Sequence, residues 1–169
     1  MRNVLGAGLA ILVLAGCLET GPAGDSSTAP DARLAATDCL SGIASLDLQT
    51  ATIADLQAAL ASGAVTSVQL VDAYAARIAA FDAIDGPGPQ LNSIQEVSST
   101  ARAQAAVLDA ERAAGQMRGP LHGIPILLKD NIGTYDEPTT AGSIALANNI
   151  PPEDATLTAL LRDAGMVIL

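Results

Sequence analysis

From residue 53 onward, apolar positions recur at helical spacing in successive stretches. Ile53, Leu56 and Leu60 predict a first helix, with Thr52 as its N-cap and Gly63 as its stop. Val68, Val71, Ala75 and Ile78 predict a second, starting near Thr66 or Ser67, with Leu70, Tyr74 and Phe81 beside the stripe. Asp85-Gly86-Pro87-Gly88-Pro89 reads as a loop, and Leu91, Ile94 and Val97 predict a short strand over 91–97. The alanine-rich run from Ser99 to Ala114 predicts a third helix ended by Gly115. A rigid Gly/Pro loop from Gly119 to Pro125 then leads into Ile126-Leu127-Leu128, which reads as a short buried strand. Thr139 to Ser143 is a small polar turn opening a short helix. Asp154 to Ala164 predicts an amphipathic helix, with Leu157, Leu160 and Leu161 inward and Gly165 as its end. Met166 to Leu169 reads as the start of a second buried strand. Strand, helix and strand in that order are the unit of an α/β sheet. A chain that stops within an apolar strand is expected to be the leading part of a longer domain.

The N-terminus follows a different pattern. Met1-Arg2-Asn3 is a short positive start, followed by an uncharged run from Val4 to Leu14. That run is shorter than the roughly 20 residues a membrane-crossing helix needs, and it fits the apolar core of a secretory signal. Leu14-Ala15-Gly16-Cys17 resembles the lipobox of bacterial lipoproteins, which implies cleavage before Cys17 and lipid on its sulfur. Leu18 rather than Asp follows, which by the same resemblance favours the outer membrane in a Gram-negative envelope. The following stretch is rich in Gly, Pro, Ser and Thr and poor in apolar residues. It reads as a flexible tether. The expected organisation is a signal peptide over 1–16, a tether over 17–45 and a folded part over 46–169.

Composition narrows the function classes. The 169 residues carry a formal net charge of −10, only 2% aromatics and a single histidine. An acidic surface repels nucleic acid, and the bland purpose of the charge is solubility. With two cysteines and one histidine, a His/Cys metal cluster cannot be assembled from this chain alone. Cys39 has no basic neighbour in sequence and reads as an inert thiol.

Lys129 is the residue that demands explanation, because it follows three large apolar residues at the end of an expected buried strand. Burial disfavours an ammonium, and a neutral amine can serve as a general base. Asp130 beside it favours the charged form, so a structural ion pair and a catalytic base are both open on residues alone. His122 reads as a loop residue seating the lysine strand, and Asp130 and Asn131 as structural partners around Lys129. Ser143 reads as a helix cap. The serine pairs Ser26-Ser27 and Ser98-Ser99 lack flanking glycines.

Gly119-Pro-Leu-His-Gly-Ile-Pro-Ile-Leu-Leu-Lys-Asp-Asn-Ile132 resembles the lysine-bearing segment of the amidase signature family, with peptide amidases the nearest branch. Thr139 to Ser143 and Asp154 to Leu169 fit the same pattern, and the resemblance covers about residues 46 to 169. It implies an α/β amidase signature fold, a mixed sheet surrounded by helices, of which the chain holds the N-terminal portion. It further implies amide hydrolysis by a Ser–cisSer–Lys triad with no cofactor, acting on a small amide or peptide amide. Lys129 matches the triad lysine. The family's Gly/Ser-rich segment with both serines lies beyond Leu169, so the chain alone is expected to be inactive. Expected partners are that substrate and a membrane reached through Cys17, with no nucleic acid. Two other readings stand beside this one: a relative of the A component of an amidotransferase, and a non-catalytic envelope lipoprotein or decayed amidase.

Overall fold

The computed structural model describes residue 43 and residues 46–169. The expected signal peptide, Cys17, Cys39 and all of the expected tether except residue 43 lie outside the described residues. The elements run in the order α1 (Ile53–Ser62), α2 (Ser67–Phe81), α3 (Ala101–Ala113), β1 (Pro125–Ile126), a single 3-10 turn (Ile144–Leu146), α4 (Thr156–Asp163) and β2 (Val167–Ile168). No helix among the described residues is long and apolar enough to cross a membrane.

Local sequence rules account for the first two helices. Thr52 and Asp55 form a reciprocal capping box at the start of α1, and Gly63 closes it in the left-handed conformation at φ 72°. Thr66 and Gln69 repeat the box at α2. The α2 N-terminus receives a second anion from afar. Asp109 of α3 accepts the N–H groups of Ser67 at 2.8 Å and Val68 at 3.1 Å. A carboxylate there satisfies two orphan donors and complements the helix dipole.

β1 and β2 form a two-stranded parallel sheet, with Pro125 opposite Val167 and Ile126 opposite Ile168. Helix α4 provides the crossover, as the strand–helix–strand reading requires. The core has two parts, one on each side of this pair. Ile124 and Met166 pack with Leu56, Leu60, Val65 and Leu70. Val167 and Leu169 pack with Val71, Ala101, Ala105 and Leu108. Neighbouring positions of α2, Leu70 and Val71, thus serve different halves.

Three expected features differ. Residues 91–97 form no strand. Gln90 and Asn92 take φ 55° and 51°, and the segment is tied to the end of α2 instead. The carboxylate of the buried Asp82 accepts the N–H groups of Ser93 and Ile94, both at 2.8 Å, and the Ser93 hydroxyl. With these donors spent on a side chain, no ladder forms. Secondly, the strand expected at Ile126–Leu128 ends at Ile126, and Leu127 is exposed. Thirdly, the inward face of α4 is not the leucine stripe. Leu157 and Leu160 are exposed, while Leu161 meets the core and Thr158 is fully buried, donating to Gly133 O at 2.9 Å. Arg162 causes the rotation. Its guanidinium turns inward to Asp136 at 2.7 Å and Asp154 at 2.9 Å, so the helix buries its polar edge. Asp154 itself precedes the helix and accepts the Tyr135 N–H.

Leu70→Ala should therefore cost about 2–5 kcal/mol in urea unfolding, because a fully buried side chain leaves a cavity. Val107→Ala, on the exposed side of α3, should stay within about 0.5 kcal/mol of the parent.

Candidate active site

The lysine segment is held at its base by close backbone contact. Gly123 N–H donates to Gly165 O at 2.6 Å, and both glycines have left-handed φ, 84° and 81°. A β-carbon on Gly123 would collide with the buried Ser67 Oγ, and one on Gly165 would lie 2.8 Å from His122 Nδ1. His122 is 2% exposed and bridges three segments. Its Nε2 lies 2.8 Å from Leu108 O, its Nδ1 accepts the Arg118 N–H at 3.2 Å, and its carbonyl accepts Arg112 at 2.6 Å. An Nδ1 that accepts a backbone N–H carries no proton, so Nε2 donates to Leu108. This agrees with a loop-seating role and places the imidazole away from the cleft described next.

Beyond the carboxyl ends of β1 and β2 lies a cleft of about 560 Å³, the position where α/β sheets bind ligands. Lys129, Asp130 and Asn131 line it together with the 93–98 segment, the 137–142 loop and Leu169. Lys129 is exposed, and its ammonium has no ion pair or hydrogen bond among the described residues. The burial expected from the apolar run before it is absent, because β1 ends three residues earlier.

Asp130 does not pair with the lysine. Its carboxylate accepts the Thr140 hydroxyl, the Thr140 N–H at 2.9 Å and the Gly142 N–H at 3.1 Å, while its carbonyl accepts Ala141 N–H at 3.0 Å. The turn wraps around the acid, with Ala141 and Gly142 both left-handed at 50° and 73°. The Thr140 hydroxyl, then the backbone N–H groups, hold the Asp130 carboxyl below the usual carboxylate range. Asn131 lines the cleft. Ser143 precedes the 3-10 turn without capping it through its side chain, so the expected cap is not made.

Every hydroxyl lining the cleft is already engaged. Ser93 donates to Asp82, Ser98 to Glu137 at 2.9 Å, Thr134 to the Glu137 carbonyl and Thr140 to Asp130. The cleft therefore holds a free amine with no hydroxyl directed to it from the described residues. Only in its neutral form can such an amine accept a proton from a nucleophile brought alongside it.

Sequence reasoning passed over Glu137, which lines the cleft, and over Asp136 and Arg162 behind it. Glu137 receives Ser98 and Ser99 at the start of α3, and Asp136 receives Thr100 at 3.0 Å and Arg162. Arg162 also lies over the Tyr135 ring, 4.9 Å from its centre. The Asp136-Glu137 pair was visible as a sequence feature, but its partners stand 26 to 39 residues away.

Residues 69–169, more than half of the chain, match the Amidase family. The peptide amidase from Stenotrophomonas maltophilia superposes with a TM-score of 0.66 at 48% identity, over 71% of this chain and 24% of that one. The A component of the glutamyl-tRNA(Gln) amidotransferase of Thermobifida fusca is 45% identical over 117 residues, covering 69% of this chain and 22% of that protein. An amidase family protein from Bacillus anthracis matches at 27% identity and TM-score 0.64, over 88% of this chain and 31% of that one. The chain belongs to the amidase family and carries part of its α/β amidase signature fold. It spans about a quarter of the length of these relatives.

The turn around Asp130 should respond to acid in a defined direction. Its folded-state carboxyl titrates below the value of about 3.9 expected in the unfolded chain. The stabilisation is thus complete above about pH 3.9 and disappears as pH falls through the lower, folded value. Amide chemical shifts of Thr140 and Gly142 followed against pH should titrate there, and Asp130→Asn should abolish that titration.

Proposed function

We propose that this chain supplies the lysine base of an amide hydrolase, with Lys129 drawing the proton from a serine hydroxyl relay. The observation that carries the reading is the unpartnered Lys129 side-chain nitrogen in an open cleft at the carboxyl ends of the strands, within the segment matched to the family; in its neutral form that nitrogen is the base. Among the described residues the hydroxyls around the cleft are bound to acids and carbonyls, so the two serines of the Ser–cisSer–Lys triad are supplied from outside those residues. The serine nucleophile attacks the amide carbonyl and releases ammonia or an amine, and water then cleaves the acyl-enzyme. The nearness to peptide amidase supports a peptide or small amide as substrate. No cofactor takes part in this scheme.

The 169-residue chain by itself should show no turnover of peptide amides above background. Activity of the purified chain that disappears in Lys129→Ala would overturn this division of labour. In a longer natural product that contains the serine segment, Lys129→Ala should lower kcat by at least about 10²-fold, the scale of a lost general base.

A second reading is favoured by the 45% identity to the A component of an amidotransferase, which would make the segment part of an ammonia-producing polypeptide. The lipobox-like Leu14 to Cys17 weighs against it. We further propose that the chain is cleaved before Cys17 and lipidated on it, anchoring the protein in the cell envelope, on the periplasmic face of the outer membrane if the cell is Gram-negative. The native product should carry acyl mass on Cys17, and Cys17→Ala should leave the full-length N-terminus unprocessed and unacylated by intact-mass measurement. An unmodified Cys17 in a cytosolic product would favour the amidotransferase reading.

A further inference from the structure

Lys129 is the only lysine in the chain, and the sheet holds its main chain from one side alone. The last ladder bond of β1 runs from Leu169 N–H to Ile126 O at 3.0 Å. Leu127 and Leu128 follow without a main-chain hydrogen bond among the described residues, and the Lys129 carbonyl then accepts the Ile132 N–H at 2.8 Å. Asp130 supplies the anchor on the other side. Its carboxylate takes the Thr140 hydroxyl, the Thr140 N–H and the Gly142 N–H, and its carbonyl takes the Ala141 N–H. Side chain and main chain of the residue after the lysine are thus both fastened to the 140–142 turn. Ala141 sits at φ 50°, a region that disfavours a β-carbon and persists where surrounding bonds enforce it. The same loop is closed at its base, by Thr139 N–H on Asn149 O at 2.8 Å and the Asn149 amide on Thr139 O at 3.1 Å. Thr140, Ala141 and Gly142 line the cleft together with Lys129.

We propose that Asp130 is the positioning residue of the Lys129 base, acting through the Thr140–Gly142 turn. A lysine nitrogen rides on a long flexible stem, so its reach is set by where the main chain at its root is held. A displacement of about 1 Å at a reacting group can cost about 10²-fold in rate. Asp130 spends its carboxylate on the turn and so aligns the amine without bonding to it. Thr140 is the partner whose hydroxyl and N–H complete that anchor. The catalytic meaning rests on the function proposed above, whereas the ordering of Lys129 by the turn does not.

The single lysine makes the ordering directly measurable. Lysine labelled at its backbone nitrogen gives one amide signal in the purified 169-residue chain. Its order parameter should be about 0.85 in the parent and in Thr140→Ser, which keeps the hydroxyl, and fall below about 0.6 in Thr140→Val and Asp130→Ala. Ile144→Ala, at a 95% exposed position in the same loop, should leave it unchanged. Circular dichroism checks the fold of each variant, and where Asp130→Ala loses helical signal the Thr140 pair decides. In a longer product that contains the serine segment, Thr140→Val should lower kcat at least about tenfold with KM within about twofold, and Thr140→Ser should restore kcat. An order parameter indifferent to the folded Asp130 and Thr140 variants, or the same loss in Thr140→Ser as in Thr140→Val, overturns the proposal. Full turnover in Thr140→Val beside lost turnover in Lys129→Ala also overturns it, and leaves the function reading in place. Mobility that changes as expected, with turnover indifferent even to Lys129→Ala, keeps the anchor and sinks the function reading, so the two failures are distinct.

Discussion

The structure depends on one close backbone contact, the bond from Gly123 N–H to the Gly165 carbonyl. Two left-handed glycines bring the lysine-bearing loop and the entry to β2 together where no side chain fits. The parallel register follows, with Val167 N–H on Ile124 O and Leu169 N–H on Ile126 O. Because the strands then run the same way, Lys129 and Leu169 emerge at the same end of the sheet and border one cleft. His122 locks the arrangement from behind by joining the loop to α3. The single histidine is thus a strut, set away from the cleft.

Carboxylates do much of the remaining positioning. Asp109 closes the N-terminus of α2, Asp82 gathers the segment after it, Asp130 folds the 140–142 turn, and Asp136 and Glu137 tie the far loop to the start of α3. Ionised acids accept several N–H and O–H donors at once, which suits loops that lack ladder bonds of their own. A charge that composition alone assigns to solubility therefore has specific internal uses. The Ser93 hydroxyl and the adjacent N–H groups also hold the Asp82 carboxyl below the ordinary range, so acid loosens this segment as well as the turn at Asp130.

The hydroxyls in the wall of the cleft are captured by acids and, for Thr134, by a backbone carbonyl. A serine bound to a carboxylate can share its proton there and gains nothing from a distant amine. The Lys129 side chain, by contrast, is left without a partner among the described residues.

Local interactions were legible in the sequence. Thr52, Thr66 and Gly63 mark helix ends because capping involves neighbours within four residues. The order of β1, α4 and β2 was legible from apolar runs and glycines, and Lys129 from its motif. Tertiary structure alone decided the features that need distant partners. Asp82 captures residues 11 and 12 positions away and cancels the strand expected at 91–97. Arg162, drawn to Asp136, turns α4 off its leucine stripe. The surroundings of Lys129 belong to the same group. Three apolar residues before it suggested burial, yet Lys129 is exposed in this chain, which spans about a quarter of its relatives' length. Sequence determines which residues can cap, turn or pair nearby. Which acid meets which donor across tens of residues depends on the closure of the chain.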